Sequence, residues 1–315
     1  MKLSLSTNWC NKDVDDGAAI AEKAIALGFD ELELGFRTPF SQVAGFKRML
    51  DMIPVGSIHA FCPVPLSAPH GHPELYTLAS LDSDARAIAR IHVTKNIRFA
   101  SEIGADTVVL HAGRVAFSSF FRRDFDSVAL LDALKKDPAG KEGAKYRKLL
   151  AKARKVRTER GLKMLEAFRG EIAALAPELE KAGVVLALEN LPYLEGFPDE
   201  DEMARILEEF KGANVLAWFD TGHHRVRECC GWLAPGCDAA KPPRTDGVRG
   251  MHLNDVTDVN DDHFAPGDGK VDFAALEGMA RSVRHVVFEP RPSVSEESLK
   301  KGIALIRSLW GVARP

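Results

Sequence analysis

Short apolar runs alternate with stretches of helical period along almost the whole chain. Leu3 to Thr7 reads as a first strand, Asp15 to Leu27 as a helix, Glu31 to Gly35 as a second strand and Phe40 to Met52 as a second helix. Val55 to His59 follows as a third strand, Leu81 to Ile103 as a helix opened by Asp82 or Asp84, and Thr107 to His111 as a fourth strand. Further strands are expected at Val184 to Glu189, Val215 to Asp220, Val248 to Asn254 and His285 to Glu289, with helices at Asp199 to Phe210, Asp272 to Ala280 and Ser295 to Trp310. Eight short strands divided by helices predict an α/β chain closed as a (β/α)8 barrel rather than an open, doubly wound sheet.

One connection breaks the regular spacing. Two helical stretches, Asp126 to Leu134 and Lys141 to Lys181, lie between the fourth and fifth strands where one is expected. The expectation is therefore a single (β/α)8 TIM-barrel domain over residues 1–315 with a helical insertion, about 114–165, after strand 4. The insertion opens on Val115-Ala116-Phe117-Ser118-Ser119-Phe120-Phe121, a place for a lid or for a contact in a homo-oligomer, with ordinary packing the plainer reading. Its basic residues Lys145, Arg147, Lys148, Lys152, Arg154, Lys155, Arg157 and Arg160 read as a solvated helix face.

Composition narrows the possible partners. With 45% apolar residues the chain can bury a large core, and a formal charge of -3 gives no general attraction to nucleic acid. No run is long and apolar enough to cross a membrane, and the first residues alternate like a strand rather than a signal peptide. Five cysteines, odd in number and without paired C-x-x-C spacing, are read as reduced thiols of a cytoplasmic protein.

The candidate chemistry stands at the strand ends. The runs closing on His59, His111, Glu189, Asp220, His252 and Glu289 each pass from apolar residues into one metal-binding side chain. In a parallel barrel these ends share the C-terminal rim, where such barrels place their sites. Imidazole and carboxylate together suit a divalent ion, Zn2+ or Mn2+, before calcium or a soft-metal site. Asp220-Thr221-Gly222-His223 adds an imidazole three residues after a strand-end carboxylate, and Asp261-Asp262-His263 before Pro266-Gly267-Asp268-Gly269 adds an acidic/His pair on a glycine-rich loop. Nine candidate ligands exceed what one tetrahedral ion needs and are enough for more than one ion. His285 opens a strand at the opposite end and reads as structural; His70, His72 and His92 require no role. Trp9 and Phe61, just past the first and third strands, are read either as walls of a sugar pocket or as core.

With Leu188-Glu189-Asn190, the Asp220 motif and the Asp261-Asp262-His263 loop in view, the chain resembles the xylose isomerase-like TIM-barrel superfamily. This group includes sugar-phosphate isomerases and epimerases, inosose dehydratases and endonuclease IV-type AP endonucleases. The resemblance runs from first strand to last, leaving out mainly the insertion. In the epimerases it implies one ion held by Glu189, Asp220, His252 and Glu289, with Glu189 and Glu289 also moving the proton. In the endonuclease branch it implies three zinc ions: His59, His111 and Glu189 on one, the central four on the second, and His223, His263 and Asp261 or Asp262 on the third. Asn190, Asn254, His223 and Arg291 are expected to contact substrate hydroxyls or phosphate. The leading expectation is an isomerase or epimerase acting on a small polyol or sugar, without nucleic-acid or membrane partners. The alternative is metal-dependent phosphodiester hydrolysis at a multinuclear site.

Overall fold

The computed structural model describes residues 1–10, 14, 16–117, 126–234, 237 and 247–313. The strands are β1 (Ser4–Ser6), β2 (Glu31–Leu34), β3 (Val55–His59), β4 (Thr107–Leu110), β5 (Gly113–Arg114), β6 (Val185–Glu189), β7 (Gly196–Phe197), β8 (Val215–Asp220), β9 (Val248–Leu253) and β10 (His285–Phe288). Eight of them close a parallel barrel in the order β1-β10-β9-β8-β6-β4-β3-β2, and β5 and β7 form a small antiparallel pair beside it. The predicted (β/α)8 TIM barrel is the observed fold, with strand bounds within about two residues of those read from the sequence.

The barrel interior holds a compact apolar plug of Val109, Ala187, Trp218 and Val287. Gly250 makes room for the indole: a Cβ there would fall 2.3 Å from Trp218 Cζ3. The larger core lies between strands and helices, which are α1 (Gly17–Leu27), α2 (Phe46–Met52), α3 (Ser83–Glu102), α4 (Ser127–Lys136), α5 (Ala144–Ala182), α6 (Glu200–Glu209), α7 (Thr221–Cys230), α8 (Glu277–Ser282) and α9 (Glu296–Trp310). Local signals set their ends. Asp16, Asp82, Asp126, Asp199, Asp220 and Ser295 are N-caps whose side chains accept first-turn backbone N–H groups, and Gly28, Gly183, Gly231 and Gly311 end helices in the left-handed region.

Three expectations change. The Phe40 to Met52 segment is a 3-10 turn over Phe40–Gly45 followed by α2. The sequence pattern gives no helix between Asp220 and Val248, yet α7 starts at Thr221, its N-cap being the last residue of β8. The two helical stretches expected between the fourth and fifth barrel strands are α4 and α5, the second a single helix of 39 residues. Tyr146 is buried, with its hydroxyl donating to Cys230 O and accepting from Trp232 Nε1. The basic face is only partly solvated. Lys145, Arg147, Lys148, Lys152 and Lys155 are exposed, but Arg154 donates to Gly231 O and Leu233 O, and Arg157 is buried in an ion pair with Glu202. Of the aromatic cluster, Phe117 is buried; Ser118 to Phe121 lie outside the described residues. Among the described residues no helix is long and apolar enough to cross a membrane.

Candidate metal centre and cavity

The C-terminal rim gathers the predicted side chains into three groups: His59, His111 and Glu189; Glu189, Asp220, His252 and Glu289; and His223, Asp261 and His263. Glu189 belongs to two of them. Its Oε2 lies 3.1 Å from both His59 Nε2 and His111 Nε2, while its Oε1 lies 3.2 Å from His252 Nδ1. His252 Nδ1 is also 3.2 Å from Glu289 Oε2 and 3.7 Å from Asp220 Oδ2. In the third group Asp261 Oδ1 is 3.6 Å from His223 Nε2 and 3.3 Å from His263 Nε2. Asp262 instead accepts from the Thr257 backbone N–H and hydroxyl, so Asp261 is the aspartate that faces the two imidazoles.

Local structure aims each group. Asp220 caps α7 through Oδ1, which accepts from His223 N, and its Oδ2 accepts from Asn254 Nδ2 at 2.6 Å. Gly222 permits this approach, since a Cβ there would sit 1.7 Å from Asn254 Oδ1. Asn190 accepts from Asp220 N and donates to Asp220 O. Asp255, at the start of the loop carrying Asp261 and His263, accepts backbone N–H groups from Val256, Gly267, Gly269 and Val271, which fixes the path of that loop. His263 adopts φ 47, uncommon for a residue with a side chain, and is held there because its carbonyl accepts from Arg291 N and its Nδ1 donates to Glu289 O.

Hydrogen bonding shows what the imidazoles offer. A carbonyl oxygen can only accept, so His59 Nδ1 (to Ala60 O), His223 Nδ1 (to Asn190 O) and His263 Nδ1 (to Glu289 O) carry protons. His252 faces carboxylates with both nitrogens, Glu33 with Nε2 and Glu189 and Glu289 with Nδ1, so one of the two donates. In a neutral ring the second nitrogen then turns a lone pair toward carboxylate oxygens, which are also acceptors. Two acceptors at about 3 Å need a cation or a proton between them. The titration behaviour follows the same demand. Burial works against the charge of Glu189, yet the charges of His252 and His111 hold its carboxyl well below the ordinary range. Burial pushes His252 and His263 down as well, but Glu289 and Glu33 carry the first, and Asp261 the second, well above it. His223 is carried up to about 9 by Asp220 and Asp261 against the same burial. Burial dominates at Asp220 and lifts it. Glu189, Asp220 and Glu289 are buried, and the ion-pair partners found for them among the described residues are histidines only. The donor set fits divalent cations in number and type.

A cavity of about 800 Å³ opens above the groups, and His59, His111, His223, Asp261, His263 and Glu289 stand in its wall. Glu189 lies one layer deeper, behind His59 and His111. Arg291 lines the mouth, its guanidinium over the Phe264 ring. The other expected substrate contacts are placed elsewhere. Asn190 and Asn254 brace Asp220 instead of lining the cavity. Trp9 and Phe61 are core: the first donates to Val294 O, and the second packs edge-on against Tyr76. Conversely, His70 and His72, which required no role, line the cavity together with Phe36, Arg37, Glu74, Arg114 and Tyr193. Arg114 stacks over Tyr193 at 3.6 Å and donates to Glu74. Asn8 was also missed; it donates to Glu289 Oε1. Glu33 was missed too, although the pattern Glu31-Leu32-Glu33-Leu34 signals it by repeating an acid on one face of a buried strand.

Comparison with known proteins agrees with this architecture. L-ribulose 3-epimerase superposes with a TM-score of 0.66 at 16% identity, covering 99% of this chain and 95% of its own. 3-keto-D-glucoside 4-epimerase from E. coli gives 0.64 at 14% identity over 98% and 99%. The TTHB071 protein from Thermus thermophilus, in a crystal soaked with ZnCl2, gives 0.59 at 21% identity over 100% of both chains. At these identities the likeness is one of fold. No curated protein matches the chain by sequence. The sequence pattern of the xylose isomerase-like TIM barrel family matches residues 21–309, and the chain belongs to that family.

Proposed function

We propose that the protein is a divalent-metal-dependent isomerase or epimerase acting on a sugar, polyol or sugar phosphate. The observation that carries this reading is that Glu189 and Glu289 each come within 3.2 Å of His252 Nδ1, with Glu289 in the wall of a cavity of small-molecule size. Glu189, Asp220, His252 and Glu289 would hold the ion, Zn2+ or Mn2+. Bound there, it supplies Lewis acidity that lowers the barrier to removing a proton beside a carbonyl group. Glu289 stands in the cavity wall as the group that takes the proton, and Asn8 fixes its other oxygen. Glu189 is the partner for return of the proton on the inner side. His59, His111 and His223 face the cavity as hydroxyl contacts or further ligands, and Arg37 and Arg291 at the mouth suit a hydroxyl or a phosphate. Two structural neighbours, L-ribulose 3-epimerase and 3-keto-D-glucoside 4-epimerase, support the same class of reaction.

A second reading, phosphodiester hydrolysis at a multinuclear centre, is favoured by two features. Glu189 divides its two oxygens between two groups, as a carboxylate bridging two ions does. Leu66, 86% exposed, and Phe40, 57% exposed, also lie with Arg37 at the mouth, a pairing of wedge and cation suited to distorted nucleic acid. Metal-loaded protein in deuterated water separates the two. The isomerase reading predicts deuterium at a carbon-bound position of a ketose or related polyol, and no nicking of abasic duplex. Efficient abasic-site cleavage that weakens steeply with salt and is lost in His263→Ala, with no exchange, would replace it by the second reading.

A further inference from the structure

Four rim histidines are anchored from outside, but not by equivalent groups. His59, His223 and His263 each donate to a backbone carbonyl. Of these four, only His252 points its outer nitrogen at a carboxylate, Nε2 lying 3.1 and 3.2 Å from the two oxygens of Glu33; the fifth rim histidine, His111, has its Nδ1 3.8 Å from Glu74 Oε1, beyond hydrogen-bond distance. Glu33 is fully buried. Its strand register sets Ser57 opposite it, and Ser57 Oγ donates to its Oε2 at 2.9 Å. The contact spans the barrel interior, because β2 and β9 are separated in the sheet by β1 and β10.

Two physical points give this arrangement meaning. A buried carboxylate with no lysine or arginine partner carries a desolvation cost that an apolar residue in its place would not. A carbonyl can fix an imidazole tautomer, whereas a carboxylate also pulls on the N–H proton and makes the opposite nitrogen a stronger donor. We propose that Glu33 is a positioning residue for the central group: it fixes His252 with its Nδ1 lone pair toward Glu189, Asp220 and Glu289, and its charge tightens the hold on a divalent cation there. The inference rests on the reading that these four residues hold a metal.

The test is metal affinity, measured on metal-stripped full-length protein by zinc titration against a chelator and by the visible spectrum of the cobalt(II)-loaded form. Glu33→Gln keeps the size of the side chain and an oxygen that can accept from Nε2, but removes the charge. It should weaken one zinc step about 10- to 100-fold and shift the cobalt bands, leaving the other steps and the folded state of the stripped protein unchanged. Glu33→Asp, charged but shorter, should recover part of the affinity, and it serves as the measured variant should Glu33→Gln not fold. Parent-like zinc affinity and cobalt spectrum in the variant would overturn the role of Glu33 while leaving the metal centre standing. A parent protein that takes up no ion would overturn the metal reading itself.

Discussion

Both ends of the barrel bury histidine against carboxylate, yet they balance charge in different ways. At the N-terminal end His285 Nε2 lies 2.7 Å from Asp106, which also meets Arg249 at 2.8 Å and Arg284 at 3.2 Å, while Lys2 meets Glu31 at 2.7 Å. Side-chain cations close that cluster. At the C-terminal rim Glu33, Glu189, Asp220 and Glu289 are buried with imidazoles as their only ion-pair partners found among the described residues. The first arrangement is complete within the chain; in the reading proposed above, the second is completed by a bound cation. A histidine near an acid is therefore informative only together with what else neutralises that acid, and the two ends correspond to the division of barrels into a stable face and a working one.

Substitutions at the rim should break the comparison most strongly. Glu189→Gln removes the one residue common to two groups, so deuterium exchange should fall by about 10³-fold or more and bound metal should drop sharply by elemental analysis, with the fold retained. The double change His59→Ala and His111→Ala should lower metal stoichiometry by one ion without emptying the central group. Unchanged stoichiometry in that variant assigns both histidines to substrate.

Substitutions at the opposite end should act on stability alone. Asp106→Asn weakens the acceptor of His285, Arg249 and Arg284 and should cost about 2 kcal/mol in denaturant unfolding, with parent-like metal content. His285→Gln should cost less and in a pH-dependent way. Burial opposes both charges, but the pairing wins: Asp106 is held below the ordinary carboxyl range and His285 above the ordinary imidazole range. The depressed acid contributes stability above about pH 4 and loses it as pH falls; the raised imidazole contributes fully below about pH 6.5 and loses it as pH rises through its folded value. The gap between parent and His285→Gln should thus be widest between the ordinary carboxyl and imidazole ranges and shrink as pH rises past the ordinary imidazole range. A flat difference across that range would remove the pair from the account.

Six of the candidate ligands were legible in the sequence because each ends an apolar run, and a parallel barrel converts that linear position into a shared place, whereas His223, Asp261 and His263 were legible from the motifs that follow. His285 was legible for the same reason, at the start of its strand. What escaped had mixed signals or none. Helix α7 was hidden because Asp220 is at once strand end, N-cap and candidate ligand, with no turn residues to separate the two elements. Arg157 looked like its solvated neighbours, since nothing local announces a partner 45 residues away in Glu202. Asn190 and Asn254 read as substrate contacts because adjacency to a ligand does not say whether an amide faces the cavity or braces the carboxylate. His70 and His72 lie in a proline-rich loop without periodicity, so only the folded chain brings them to the cavity.

The central claim, that the rim's buried carboxylates are balanced by bound cations, is tested most directly by elemental analysis of the purified protein before and after chelation. The account predicts one to three divalent ions per chain, removed by a strong chelator and restored by Zn2+ or Mn2+. A protein that carries no ion and takes none up, while remaining folded, would contradict it.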